Sequence, residues 1–137
     1  MNNKSTFKDL TIILPTLNEE GNIQHLIKEL KSILPESYII VVDDSSSDNT
    51  PKIVKKLASN SPKILLIERK EKPCLTLSIM NGVRAAKTDY VAWMDADFSH
   101  PPKVLKKLYN IAHSSDCCIA TRYLNEYGDT DEMNNKS

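Results

Sequence analysis

Two aspartates separated by one residue follow an apolar run in the second half of the chain. Asp95 and Asp97 come directly after the run Tyr90–Met94, with the small residue Ala96 between them. In an extended segment, residues i and i+2 point the same way, so both carboxylates can face one bound ion or one ribose. Mg²⁺ and Mn²⁺ prefer oxygen ligands and commonly bridge to substrate phosphates. The spacing therefore indicates a site for a divalent cation and a diphosphate.

Acidic residues also follow two earlier apolar runs. Glu19 comes shortly after Leu10–Leu14, and Asp43 and Asp44 end the next run. A single acidic residue in such a place is more often a turn cap. Three acidic clusters that converge on one place would repel one another and raise each other's pKa values. We therefore expect a positive group to offset them, which is a metal ion, lysine side chains or Arg122.

Arg122 directly follows the last apolar run of the chain, Cys117–Thr121. Its planar guanidinium suits bidentate contact with phosphate oxygens, and an ordinary surface arginine is the alternative interpretation. The sequence contains neither G-x-G-x-x-G nor G-x-x-x-x-G-K-[ST], which excludes the two common glycine-rich phosphate loops. No serine lies in a nucleophile elbow. The candidate chemistry thus rests on carboxylates and one arginine.

The apolar residues change their period along the chain in a regular way. Between the strand-like runs they recur at intervals of three and four, which predicts four helices. Thr50 and Pro51 suit the N-cap and first position of the second helix, and Pro101 and Pro102 precede the fourth. Short runs rich in apolar residues predict five strands, at Leu10–Leu14, Tyr38–Val42, Ile64–Ile67, Tyr90–Met94 and Cys117–Thr121.

Alternating strands and helices predict an α/β domain with a mostly parallel sheet that helices cover on both faces. Right-handed crossovers place the carboxyl ends of all the strands along one edge of such a sheet. Ligands bind at that edge, at the point where the strand order reverses. Asp95 and Asp97 are then expected at the ligand-binding edge, just past the end of a central strand.

Length and charge narrow the class of protein. The 137 residues fit a single domain, which we place at residues 10–123, between a disordered N-terminus (1–9) and a mobile tail (124–137). The 18 basic and 18 acidic residues balance, which argues against a nucleic-acid partner.

The polar start does not resemble a signal peptide, and no apolar run reaches the roughly 20 residues that span a bilayer. Three scattered cysteines favour reduced thiols in a cytoplasmic protein.

Four segments together resemble the inverting family-two glycosyltransferases, and within them the dolichol-phosphate (polyprenol-phosphate) mannosyltransferases. The segments are ILPTLNEEGNI, VVDDSSSDNT, MNGVRAAKTDYVAWMDADFSHPP and ATRY, and the resemblance runs from Leu10 to Tyr123. It implies a glycosyltransferase A-type, Rossmann-like fold and a Mg²⁺ or Mn²⁺ cofactor. It also implies GDP-mannose as the donor and a dolichol or polyprenol phosphate as the acceptor, at the cytoplasmic face of a membrane.

The resemblance also assigns roles to individual residues. Asp97 and Arg122 are the expected catalytic residues, and Arg122 would hold the diphosphate. Asp97 and Ser99, together with Asp95, would face the metal. The remaining expected contacts are to the nucleotide sugar: Pro15, Leu17 and Glu19 border the nucleoside, Val42 and Asp44 contact the base or ribose, and Asp95 and Ala96 lie along the nucleotide.

Two departures from the family pattern leave other interpretations open. Cys74 and Thr76 stand where the family has the glycines of a Gly-Leu-Gly turn, and the chain ends at Ser137, shortly after Tyr123. The acceptor side of the site is therefore expected to be incomplete, or supplied by a partner subunit. The alternatives are a non-catalytic module that binds a nucleotide sugar and a UDP-glucose-dependent transferase of the same fold.

Overall fold

The computed structural model describes residues 6–117, in which four strands alternate with four helices. The predicted fifth strand, apart from Cys117, lies outside the described residues, as do Arg122, the predicted domain end and the predicted tail. The elements are β1 (Leu10–Thr16), α1 (Ile23–Ile33), β2 (Tyr38–Asp44), α2 (Thr50–Ser59), β3 (Ile64–Arg69), α3 (Leu75–Ala85), β4 (Tyr90–Trp93) and α4 (Lys103–Ala112).

The four strands form one parallel sheet in the order β3-β2-β1-β4. The chain first steps from β1 to β2 to β3 and then returns to place β4 on the other side of β1. Right-handed crossovers in opposite directions put their helices on opposite faces. Accordingly, residues of α1 and α2 pack with one apolar cluster, whereas α3 packs with another. The prediction of a parallel sheet covered on both faces is confirmed, although β4 is an edge of the described sheet rather than a central strand.

Alternation along the strands divides the core between the two faces. Ile12 and Leu14 of β1 point toward the cluster shared with α1, α2 and α4, whereas Ile13 points toward α3. Each of these three side chains is fully buried. The same alternation continues through β2, so two adjacent residues at its end face different helices. These two residues are Asp43 and Asp44, and their side chains therefore have different partners.

The four helices are 10 or 11 residues long. Helix α2 begins at Thr50, so its N-cap is Asn49 and the predicted cap position is one residue too late. Crossing a bilayer takes about 20 apolar residues. Between residues 6 and 117, no helix meets that requirement of length and apolar character.

Residues 7–9, directly before β1, pack with the folded domain, whereas the prediction placed them in a disordered N-terminus. Phe7 is buried, and its N–H donates a hydrogen bond to the carbonyl of Pro35 at 3.1 Å. Its ring packs edge-on against Tyr109 of α4, and the Tyr109 hydroxyl donates to Asp9 at 2.7 Å. The prediction failed here because a single aromatic among polar residues has no period to detect.

Helix α3 approaches the sheet very closely at Gly82. A Cβ atom at this position would lie 2.6 Å from Cγ2 of the buried Ile13. Real Cβ contacts are never this short, so the absence of a side chain sets how closely α3 can approach β1. Since α3 forms one wall of the candidate site, this contact also sets the depth of that site.

We predict that Gly82→Ala destabilises the fold, because the added methyl group overpacks Ile13 at a cost of about 1–3 kcal/mol. This loss should exceed the helix-propensity gain of about 1 kcal/mol from replacing glycine by alanine. Gly21→Ala is the matched control, since a Cβ there has nothing within 4 Å. Urea unfolding of both variants measures the difference, and equal stabilities would contradict the close approach of α3.

We also predict a loss of stability at high pH that depends on Tyr109. Burial and the hydrogen bond to the Asp9 carboxylate raise the pKa of Tyr109 to about 12. The unfolded chain ionises a tyrosine near pH 10, so the contribution of Tyr109 is complete below about pH 10 and is lost as the pH rises toward 12. Tyr109→Phe should show a smaller fall in the free energy of unfolding across this range. Tyr38→Phe, at an exposed position, should behave as the unmodified protein does.

Candidate functional site

The loops that follow β1 and β2 are joined by hydrogen bonds between backbone and side chains. Oδ1 of Asn18 accepts from the backbone N–H of Ser47 at 2.9 Å and of Asp48 at 3.3 Å. The N–H of Asn18 donates to Oγ of Ser46 at 2.8 Å. Asn18 has a φ of 55°, in the left-handed region that asparagine tolerates better than most residues. These bonds hold the two loops in one arrangement at the carboxyl edge of the sheet.

Asp48 also joins these two loops, and it lies two residues before the start of α2. Its carboxylate accepts from the N–H of Glu20 at 3.1 Å and from the N–H and hydroxyl of Thr50 at 2.9 and 2.5 Å. Burial opposes ionisation of this carboxyl, but the hydrogen bonds from Thr50 and Glu20 outweigh it and lower the pKa of Asp48. The hydroxyl of Thr50 accepts in turn from the N–H of Glu19 at 2.9 Å. Much of the acidic and hydroxyl content of these loops therefore holds the protein together.

The adjacent aspartates at the end of β2 point to opposite faces of the sheet and have different partners. Asp43 lies in register with Thr16 of β1, whose hydroxyl donates to it at 2.9 Å. The hydroxyl and N–H of Ser46 donate to the same carboxylate at 2.6 and 3.0 Å. Asp43 is fully buried, so its acceptor capacity is directed to the turn after β2 and not to a ligand.

Asp44 faces α3 and forms a buried ion pair with Arg69. The two residues are register partners on β2 and β3, and Nη1 of Arg69 contacts Oδ1 of Asp44 directly. Oδ2 of Asp44 accepts from the N–H of Cys74 at 2.6 Å. Only 3% of the Arg69 side chain and 8% of the Asp44 side chain are exposed. Arg69 is therefore a cation that offsets the clustered acids, in a role that the sequence analysis assigned only to a metal, lysines or Arg122.

The sequence did carry a signal for Arg69 that was overlooked. The third apolar run ends in Glu68 and Arg69, as the second ends in Asp43 and Asp44. In a parallel sheet, neighbouring strands end side by side, so charged residues that close two adjacent strands are candidates for a cross-strand pair. Comparing the strand ends with one another would have predicted the Asp44–Arg69 contact.

An open cavity of about 260 Å³ lies where β1, β2 and α3 meet at the carboxyl edge. Residues from the end of β1 and the loop after it form one side of the cavity: Pro15, Thr16, Leu17 and Glu19. The opposite side comes from the start of α3 and the turn before it: Pro73, Cys74, Leu75 and Ser78. Asp44 also lines the cavity. The structure thus brings together four residues expected to border the nucleoside: Pro15, Leu17, Glu19 and Asp44.

Two other expected contact residues are not among the residues that line the cavity. Val42 is completely buried between the sheet and α3, and Ala96 is 3% exposed and packs in the main core cluster. In this arrangement neither side chain is placed to contact a ligand in the cavity. Asp44 differs from both, since a carboxylate has about four acceptor positions and two groups donate to it here.

The segment that carries Asp95 and Asp97 is a turn, and this corrects the extended geometry assumed from the sequence. Strand β4 ends at Trp93, and Ala96 and Asp97 lie in the turn that follows. Phe98 has a φ of 60° and its ring lies 5.5 Å from that of His25 on α1. The alternation rule therefore does not apply across this segment. Asp97 is exposed and Asp95 is partly exposed, at the same edge of the sheet as the cavity.

The donors in this turn fit a hard divalent cation. Ser99 donates its N–H to Oδ1 of Asp97 at 2.9 Å, while its buried Oγ has no hydrogen-bond partner. A buried hydroxyl without a partner, in the same turn as the Asp97 carboxylate, is a suitable oxygen donor for Mg²⁺ or Mn²⁺. Across residues 6–117, no three His, Cys, Asp or Glu side chains are grouped closely enough to hold a metal. Such an ion would therefore need further oxygens, and the phosphates of a substrate are the usual source.

The missing glycines before α3 do not disturb the backbone. Cys74, the N-cap of α3, has φ −154° and ψ 114°, an extended conformation open to any residue. Thr76 lies in the first turn of the helix, where glycine is not required. The substitutions at the expected Gly-Leu-Gly turn are therefore compatible with the cavity that this turn lines.

Comparison with known proteins agrees with this fold. The model of the family described as Glycosyl transferase family 2 matches residues 11–137, and the chain belongs to this family. It is 35% identical over 118 residues to a dolichol-phosphate mannosyltransferase of Pyrococcus furiosus, covering 84% of this chain and 33% of that protein. It is 32% identical over 120 residues to the dolichol-phosphate mannosyltransferase of Saccharomyces cerevisiae, covering 84% of this chain and 45% of that protein.

A solved structure is similar to the described domain as well. A mannosyltransferase from Pyrobaculum calidifontis, in complex with GDP-Man and Mn²⁺, superposes with a TM-score of 0.58 at 27% identity, covering 65% of this chain and 27% of that one. The fold is therefore the glycosyltransferase A type, as the resemblance implied. The chain spans between a third and a half of the length of the two curated relatives.

We predict that Arg69→Met destabilises the protein by about 3–5 kcal/mol, because it leaves the Asp44 carboxylate buried without its cation. Lys70→Met is the matched control at the next residue, where the side chain is 83% exposed. That change should alter stability by no more than about 0.5 kcal/mol. Denaturant unfolding compares the two variants, and a similar effect of both would show that the buried pair is not a main support of the site.

Proposed function

We propose that this chain is the donor-binding part of an inverting glycosyltransferase that transfers mannose from GDP-mannose to a dolichol or polyprenol phosphate. One observation carries the proposal. The cavity lined by Pro15, Leu17, Glu19 and Asp44 opens at the same edge of the sheet as the turn of Asp95 and Asp97. A sugar nucleotide needs such neighbouring regions, one for its nucleoside and one for its diphosphate. The identity to two dolichol-phosphate mannosyltransferases supports this choice of donor and acceptor.

The cavity suits the nucleoside better than the diphosphate. Pro15, Leu17 and Leu75 give it apolar walls, and Leu17 and Leu75 remain 47% and 52% exposed. None of its lining residues is a lysine or an arginine, and the Glu19 carboxylate would repel a phosphate group. A neutral aromatic ring with polar edges therefore fits this cavity better than a charged group does.

The turn after β4 suits the diphosphate together with a cation. Asp95, Asp97 and Ser99 would hold the ion, and loss of Asp97 should weaken binding of the ion most. The bound ion would supply the positive charge that stabilises the departing nucleoside diphosphate. In our proposal Arg122 adds a bidentate contact to the diphosphate oxygens, as the family resemblance implies.

The reaction itself requires little proton transfer. An oxygen of the acceptor phosphate, ionised near neutral pH because its second pKa is about 6, forms a bond to the anomeric carbon of the sugar. The bond between that carbon and the donor diphosphate breaks, and its electron pair leaves on the diphosphate. Attack from the opposite side inverts the anomeric configuration. Catalysis then depends on positioning and on charge stabilisation, which a cation held by the carboxylates and hydroxyl of this edge would supply.

We predict that Asp97→Ala weakens the Mn²⁺-dependent binding of GDP by about tenfold or more, because removal of a charged ligand group costs about 1.5–3 kcal/mol. Asp89→Ala is the matched control, since Asp89 is an exposed aspartate at the opposite end of β4. Isothermal titration with GDP, with and without Mn²⁺, measures both variants.

Equal binding of GDP and Mn²⁺ by the Asp97→Ala variant and the unchanged protein would contradict the proposed cation site. Competition between GDP-mannose and UDP-glucose distinguishes the proposed donor from the alternative one. Transfer of radiolabelled mannose to a short polyprenyl phosphate tests catalysis itself. Donor binding without any transfer would favour the alternative of a non-catalytic module.

A further inference from the structure

Ser78 is a buried residue in the cavity wall that the sequence analysis did not single out. It lies on the inner face of α3, one turn before Gly82, and none of its surface is exposed to bulk solvent. It lines the same cavity as Leu17 and Asp44. Its Oγ is one of three buried side-chain atoms in the described part of the chain that have no hydrogen-bond partner.

This unpaired hydroxyl is unusual for a serine within a helix. Helical serines commonly donate back to the carbonyl four residues earlier. For Ser78 that carbonyl belongs to Cys74, and it accepts the Ser78 backbone N–H at 3.0 Å, while Oγ makes no such bond. Buried hydroxyl groups without partners are rare because they are costly. A partner that enters the cavity would remove this cost.

The other groups around the cavity indicate what this partner is. The lining residues include the Glu19 carboxylate, the Asp44 carboxylate that Arg69 neutralises, and no cation, which disfavours an anionic group. The Asp44 carboxylate, already paired with Arg69, can still accept from an N–H group. A serine hydroxyl can both donate and accept. Apolar walls, a carboxylate acceptor and the unpaired hydroxyl of Ser78 match the ring and polar edge of a nucleobase.

We propose that Ser78 determines nucleoside specificity by forming a hydrogen bond to the base through its Oγ. This inference rests on the proposed function only in taking the cavity to hold the nucleoside of a sugar nucleotide. A site that hydrogen-bonds a polar group discriminates strongly against ligands that leave its own buried group unpaired. Ser78 therefore contributes to the choice among bases, while the turn of Asp97 acts on the diphosphate.

Ser78→Ala tests the proposal with minimal change in shape, since it removes only the hydroxyl oxygen. Isothermal titration with guanosine, GDP and UDP should show a loss of about tenfold in affinity for the preferred nucleotide and a reduced ratio between GDP and UDP. Binding of pyrophosphate with Mn²⁺ should stay unchanged. Ser78→Cys replaces the hydroxyl by a slightly larger thiol that is a weaker donor, and its affinity should fall between those of Ser78→Ala and the unchanged protein. Ser59→Ala, an exposed helical serine on α2, is the control and should bind as the unchanged protein does.

The outcomes separate this proposal from the proposed function. Binding of guanosine and GDP by Ser78→Ala at unchanged affinity would overturn the role of Ser78 and leave the mannosyltransferase proposal standing. A preference for UDP that depends on Ser78 would support the role of Ser78 and overturn GDP-mannose as the donor. Equal weakening of pyrophosphate and guanosine binding would also overturn the proposal, because it would show a general disturbance of the site. Thermal unfolding of each variant establishes that it is folded before titration.

Discussion

Parallel pairing of β1 with β2 brings the loops that follow them to one edge of the sheet, and the site depends on the hydrogen bonds that join these loops. Asn18 accepts from the backbone of the second loop, and Asp48 accepts from the backbone of the first. Because each loop satisfies polar groups of the other, movement of one loop alone would exchange several of these hydrogen bonds for bonds to water. The side chains that line the cavity are therefore carried on a preorganised frame, which is what a site for a charged and flexible sugar nucleotide requires.

The acidic residues at this edge have two different uses. Asp43 and Asp48 hold the loops, and Asp44 is neutralised by Arg69, so the edge carries less unbalanced negative charge than its composition indicates. Asp95 and Asp97 lie in a separate turn beside β1 and have the donors that suit a cation. This division leaves the cavity suited to a neutral base and the neighbouring turn suited to a diphosphate.

Most of the fold followed from apolar periodicity, because each strand and each helix buries its own side chains in a distinctive pattern. The four described strands and four helices occur where the pattern predicts them. The errors lie where burial depends on distant partners. Strands β1 and β2 extend to Thr16 and Asp44 because their polar ends are paired across the sheet, and Phe7 is buried only because α4 returns to cover it. No local pattern contains that information.

The sequence by itself determined the order of strands and helices, the family, and the collection of acidic residues at one edge. Only the tertiary structure decided which of those acids support the protein and which can face a ligand. The physical reason is strand register. Parallel pairing places Thr16 opposite Asp43 and Asp44 opposite Arg69, while alternation turns the two aspartates toward different faces. The packing of α3 then leaves the hydroxyl of Ser78 buried in the cavity wall, where no sequence pattern distinguishes it from an ordinary helical serine.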